Sequence, residues 1–164
     1  MRGRVWKFGN NVDTDAITPG KYIYAPREEL LKHVLEVINP KFSREVKQGD
    51  VVVGGSNFGC GSSREEAPVV LKTLGVGAVV AESFARIFFR NGIAIGLPVL
   101  TCAGISAAFE DGDEMELDLS RARITNLTQG KTLHAQPLPG QMLDVLSKGG
   151  IGPLLKELGR KAKP

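Results

Sequence analysis

Polar and apolar positions alternate over residues 3–8, GRVWKF, which predicts a first strand; the turn-rich stretch GNNVDTDAITPGKY follows at 9–22. From Pro26 the period changes. Leu30, Leu31, Val34, Leu35 and Ile38 recur at steps of three and four, predicting an amphipathic helix over PREELLKHVLEVI. DVVVGG at 50–55 is a short apolar run that predicts a buried strand running into glycines. REEAPVVLKTLG then predicts a helix ending at Gly75, with Pro68 tolerated in or near its first turn. AVVAES (78–83) predicts another buried strand and FARIFFRNGI a short helix with an apolar and a basic face. IAIGLPVL reads as a strand broken by Gly96 and Pro98, followed by a short helix near GISAAFEDG. Strands EMELDL, ARITNL and KTLHAQP form a late meander, and helix is expected from Gln141 to about Leu158. Strands alternating with helices before a meander predict an α/β domain with a second β layer.

A chain of 164 residues suits one domain, and no linker or internal repeat divides it, so residues 1–164 are taken as a single unit. The net charge of +3 is mild, and its basic cluster at the end, GRKAKP, reads as a frayed tail over about 159–164 rather than a nucleic-acid arm. Trp6, Tyr22, Tyr24 and seven phenylalanines make no basic-aromatic platform for single strands. The absence of a secretory leader or a membrane-length apolar run sets the expectation of a cytoplasmic protein that binds neither membrane nor nucleic acid. Cys60 and Cys102 match no metal or redox spacing, so no metal and no all-cysteine iron–sulfur cluster is expected on this chain.

The informative stretch is GGSNFGCGSSREEAP, residues 54–68. Ser62 precedes Glu65, and Ser63 precedes Glu66, by three residues, so either pair could form a capping box. Capping does not explain glycines at 54, 55, 59 and 61, each of which costs chain entropy. Glycines let backbone amides approach a ligand, a helix opening near Arg64 would aim its free N–H groups there, and Arg64 suits a carboxylate or phosphate. The stretch therefore reads as an anion site, with a structural turn as the competing account. The phosphate loop would need lysine after Gly61, and GCGSSR breaks the dinucleotide pattern at Arg64, so a small carboxylate fits better than a nucleotide.

NFGCGSSREEAP, DTDAITPGKY and SFARIFFRNGI together resemble the small subunits of the aconitase-superfamily isomerases, over roughly residues 4–150. The resemblance implies a swivel-type domain of layered β/β/α architecture, as in the C-terminal domain of aconitase. It also implies a hydro-lyase active only with a large subunit, which moves a hydroxyl between neighbouring carbons of a small hydroxy-dicarboxylate by dehydration and rehydration. A four-iron, four-sulfur cluster is expected on that partner and no cofactor here.

The resemblance makes Ser62 the catalytic base and gives Ser63 and Arg64, beside Gly61, to the substrate carboxylate. It places Asp15 near the reacting centre, although an Asx-turn or helix cap competes for that residue, and Asp13 and Thr14 read as turn residues. It assigns the reading of the variable substituent to the loop KYIYAP, with Ile23 and Tyr24. Relatives acting on a third carboxylate tend to carry arginine there. Tyr24 departs from that pattern, which favours an apolar or small substituent: 3-isopropylmalate first, with leucine biosynthesis as its setting, then 2,3-dimethylmalate or homoaconitate. Cys60, with no histidine near it in sequence, reads as a bystander. In FARIFFRNGI, Phe84, Ile87 and Phe88 are expected to pack into the core or against the partner. A stand-alone anion or nucleotide module, and an assembly subunit without catalytic residues, are the competing classes.

Overall fold

Val51, Val52 and Val53 are all fully buried, which is the mark of a central parallel strand covered on both faces. The structure, a computed structural model, describes residues 1–161. Its strands are β1 (Arg2–Lys7), β2 (Val51–Gly54), β3 (Ala78–Ala81), β4 (Val99–Thr101), β5 (Glu114–Asp118), β6 (Arg123–Asn126) and β7 (Lys131–His134). They form one sheet in the order β4-β3-β2-β1-β5-β6-β7. Strands β1 to β4 are parallel and β5 to β7 are an antiparallel meander.

β1 is the joint between the two halves. Its end Val5–Lys7 pairs with β2, whereas its start Arg2–Arg4 pairs with β5, so the sheet curls and the meander folds over the parallel strands. Alternating side chains separate two cores. Val5, Val51, Val53, Val80 and Leu100 meet Met115, Leu117 and Ile124 of the meander. Trp6, Val52, Val79 and Val99 face the other way, toward the helices. Those helices are α4 (Glu66–Thr73), α5 (Arg86–Ala94) and α7 (Gly140–Ser147), while α6 (Ile105–Ala108) lies with the meander. This is the layered α/β arrangement expected, with the second β layer continuous with the first.

Four local expectations are corrected. The helix from Pro26 stops early: α2 covers only Arg27–Leu31, after which Lys32 and His33 donate to Glu29 O and Leu30 O in tighter turns, and Leu35 turns left-handed (φ 58°) and gives its N–H to Ile17 O. Val34 and Leu35 are still fully buried, so the apolar spacing marked burial correctly but not helix; Ile38 is exposed. A helical turn, α3 (Phe42–Glu45), follows unannounced and buries Phe42 edge-on against Trp6, ring centroids 5.2 Å apart. Residues 93–98 finish α5 and turn, so only Val99–Thr101 remains strand. The terminal helix is two, α7 and α8 (Ile151–Lys161), split where Gly149 and Gly150 take positive φ. Residues 159–161 continue α8 instead of fraying; the rest of the expected tail, 162–164, lies outside the described residues.

Candidate active site

The glycine run leaves β2 at Gly54 and is anchored by Phe58, which is fully buried and meets Phe84 and Phe88 at centroid distances of 6.0 and 5.4 Å. Gly59 has φ 77° and lies against the Phe88 ring, so a β-carbon there would overlap it. Gly54 and Gly55 are likewise crowded, by Phe58 and Asn10. Three of the four glycines thus serve packing of the loop; Gly61 (φ 93°) is the one beside the Thr14 hydroxyl.

The loop is laced to the segment after β1. Gly59 N–H donates to Val12 O (2.7 Å) and Thr14 N–H to Cys60 O (2.8 Å). These bonds bring together residues 48 apart in sequence: Thr14 Oγ1 lies 3.0 Å from Ser62 O and 3.1 Å from Ser62 Oγ. Asp13 caps the short helix α1 (Thr14–Ile17) by accepting from Ala16 N–H at 2.7 Å, so the turn expected at Asp13 is a helix cap. Asp15, next in line, accepts from Arg64 Nη1 at 2.7 Å and from Gly20 N–H at 3.1 Å. The same Nη1 donates to Thr18 O at 2.6 Å. The Arg64 guanidinium holds the Asp15 carboxyl below its usual pKa, with desolvation opposing.

No capping box forms. Helix α4 starts at Glu66 behind Glu65, which makes no side-chain cap. The Ser62 hydroxyl goes to Thr14, and Glu66 pairs with Arg27 (3.3 Å). The sequence thus misplaces the helix start by two residues, and it is Thr14 and Arg64 that surround Ser62. Ser62 and Ser63 are both exposed.

Ile23 and Arg64 line one cavity with Thr18, Leu30, Glu65 and Glu66; its volume, about 260 Å³, is below the usual range for a complete small-molecule site. Tyr24, 99% exposed, is not among the residues that line the cavity. Nearby cations are already engaged, Lys21 by Glu36 (3.4 Å) and Arg27 by Glu66. Cys60 is half-buried, and His33 is occupied elsewhere, stacked on Tyr22 at 3.7 Å and bonded to Glu36 and Glu29. Phe88 is buried and Phe84 half-buried, while Ile87 stays 48% exposed. Among the described residues no group of three or more His, Cys, Asp or Glu could hold a metal, so these residues offer no ligand set for a cluster. Among them, too, no helix is long and apolar enough to cross a membrane.

Thr14 is the residue that sequence reasoning missed. Its hydroxyl has no periodicity to betray it, and only the lacing of two distant loops shows its contact with Ser62.

Residues 7–103 match the model of the aconitase C-terminal domain family. The isopropylmalate/citramalate isomerase small subunit of Methanocaldococcus jannaschii is 54% identical over 158 residues, covering 96% of this chain and 94% of its own. The methanogen homoaconitase small subunit of Methanothermobacter thermautotrophicus is 53% identical over 152 residues, covering 92% and 88%. A crystal structure of a 3-isopropylmalate dehydratase from Methanocaldococcus jannaschii superposes with TM-score 0.90 at 42% identity, covering 96% of this chain and 94% of that one.

Proposed function

Since the chain belongs to the aconitase C-terminal domain family, we propose that it is the small subunit of a two-chain hydro-lyase of the 3-isopropylmalate dehydratase type. The observation that carries the reading is the convergence of two segments, which bonds Thr14 to Ser62 and Asp15 to Arg64. Relatives similar over nearly the whole chain are named small subunits, which implies a large one.

Ser62 takes the proton from the carbon beside a substrate carboxylate. A serine hydroxyl is a poor base unless its alkoxide is stabilised by nearby donors and positive charge. Arg64 supplies the charge. Both of its observed bonds use Nη1, and Asp15 and Thr18 O fix that end. The Nε and Nη2 edge is therefore oriented to take a carboxylate in the bidentate geometry arginine favours. Asp15 acts by holding Arg64, and Ser63 and the Gly61 backbone line the same exposed edge. The described residues lack a ligand set for an iron–sulfur cluster. The Lewis acid that draws off the hydroxyl belongs to the large subunit, as does the rest of a pocket that is too small here.

The substituent is read by Ile23, with Tyr24 meeting the substrate or the partner on closure. Neither Lys21 nor Arg27 lines the cavity with Ile23, where, among the described residues, Arg64 is the sole cation beside Glu65 and Glu66, so a third carboxylate would find no further cation there, and desolvating it unpaired would be costly. An apolar substituent, as in 3-isopropylmalate, is favoured. Homoaconitate is the second reading, kept by the 53% identity to a homoaconitase small subunit.

The test is anaerobic reconstitution with the cluster-bearing large subunit, following the unsaturated diacid formed from 3-isopropylmalate. Dehydration that vanishes when either chain is omitted is the expected result. Full activity of the large subunit alone would overturn the split site, and turnover of homoaconitate only would move the substrate.

A further inference from the structure

Thr14 is almost wholly buried, at 2% exposure, yet its hydroxyl opens onto Ser62. A threonine hydroxyl has one proton and two lone pairs. Its contact with Ser62 O at 3.0 Å can only be a donated bond, because a carbonyl has no proton to give. The contact with Ser62 Oγ at 3.1 Å must then use the proton of Ser62. Both bonds are made together only while Ser62 is neutral. An ionised Ser62 has no proton, and its oxygen would face the Thr14 lone pairs unless the Thr14 proton turned toward it.

Nothing is orphaned by that turn. Ser62 O also accepts from Arg64 N–H at 2.8 Å, so it keeps a partner when Thr14 lets go. The backbone that carries the hydroxyl is held on both sides. Thr14 N–H is bonded to Cys60 O, and Thr14 O accepts from Thr18 N–H (2.9 Å) and Thr18 Oγ1 (2.8 Å). A β-carbon on Gly61 would lie 3.3 Å from Thr14 Oγ1, so glycine there leaves the hydroxyl room to rotate. A donor that is already placed, buried and free to rotate needs little reorganisation when charge develops on its neighbour.

We propose that Thr14 is a positioning residue for Ser62: its single proton rests on Ser62 O while Ser62 is neutral and swings to Ser62 Oγ when that oxygen is an alkoxide. This rests on the reading of Ser62 as the base. Ser62 first loses its proton to solvent, giving the alkoxide. In the dehydration half the substrate C–H bond then breaks, its proton joins Ser62 Oγ, and the electron pair of that bond forms the double bond as the neighbouring hydroxyl leaves with its own bonding pair. The Thr14 proton then returns to Ser62 O. Rehydration reverses these events at the neighbouring carbon and gives the proton back, so Thr14 neither gains nor loses a proton.

The experiment uses the reconstituted two-chain enzyme with Thr14→Val, Thr14→Ala, Thr14→Ser and Ser62→Ala. Losing one donor to the Ser62 alkoxide disfavours that form by about tenfold. Thr14→Val and Thr14→Ala should therefore lower kcat/KM by about tenfold on the ascending limb of its pH profile, and in both that limb should move about one unit higher. Thr14→Ser, which restores the hydroxyl, should come within about twofold of wild type. The charged groups on the packed segments, Asp13, Asp15, Arg64 and Glu65, are the same in every variant. If Thr14→Val does not assemble, the Ala and Ser pair carries the comparison. Equal impairment of those two, or an unshifted limb, would overturn the proposal. Ser62→Ala separates the failures: if it is inactive while Thr14→Val is fully active, only Thr14 is wrong, and if it is active, the reading of Ser62 falls first.

Discussion

Gly59 should resist replacement by any residue with a β-carbon, and a three-variant series can test the reason. Its φ of 77° costs an L-residue about 1–2 kcal/mol. A β-carbon would in addition overlap the Phe88 ring, which is buried and lies edge-on 5.4 Å from Phe58, so the ring cannot simply swing away. Overpacking of that kind costs about 1–3 kcal/mol. Gly59→Ala should therefore lose about 2–5 kcal/mol. Gly130 has φ 70° and nothing within 4 Å of where a methyl would stand, so Gly130→Ala isolates the backbone cost of about 1–2 kcal/mol. Gly9 has neither a positive φ nor a neighbour within 4 Å, and Gly9→Ala should be neutral or gain up to about 1 kcal/mol. Urea unfolding followed by circular dichroism gives all three. Equal losses at 59 and 130 would refute the crowding argument. Because Gly59 N–H is bonded to Val12 O, Gly59→Ala should also lower turnover of the assembled enzyme by more than the stability loss explains.

Three further outcomes follow from the site. Asp15→Asn weakens the anchor of Arg64, so kcat/KM should fall by about 100-fold through misplacement while the unfolding midpoint stays put; unchanged kinetics would remove Asp15 from the site. Tyr24→Arg supplies the cation this loop lacks and should raise kcat/KM for a substrate bearing a third carboxylate by about tenfold, one charge-assisted bond; no change would shift specificity onto Ile23 or the partner. The pKa of His33 is raised by its bond to Glu36 and, less, by Glu29, with desolvation opposing, so its stabilising effect is complete below the unfolded value of 6.5 and fades as pH rises through the higher folded value. Glu29 and Glu36 have lowered pKa values, chiefly from Lys32 and His33 respectively, so their share is lost as pH falls below their ordinary 4.5. Thermal melts of His33→Gln against wild type should therefore differ most near about pH 5.5 and converge toward about pH 9; a constant gap would contradict the cluster.

Much of this was legible in the residues. The buried valines of β2, the glycine loop after it and the helix behind it all follow from apolar runs and turn chemistry, and the three motifs together carried the family. What failed did so for tertiary reasons. The spacing of Leu30 to Ile38 is helical, but after Leu31 the chain runs through successive turns, and Leu35 gives its N–H to Ile17 O in place of a helical partner. Ser62 and Ser63 look like caps until Thr14, 48 residues upstream, claims the Ser62 hydroxyl. The glycines read as ligand contacts, yet three of them are required by Phe58, Phe88 and Asn10, whose positions no local pattern encodes. Asp15 reads equally well as a turn residue, and its bond to Arg64, 49 residues away in sequence, follows no local pattern.

The most direct test of the central claim is the rate of Ser62→Ala in the reconstituted enzyme, with assembly and cluster content shown to equal wild type. Dehydration of 3-isopropylmalate and exchange of the substrate proton with solvent should both fall by at least about a thousandfold, since the proton would have no acceptor. A variant that still turned over within about tenfold of wild type would contradict the account, because the proton would then be taken by another group.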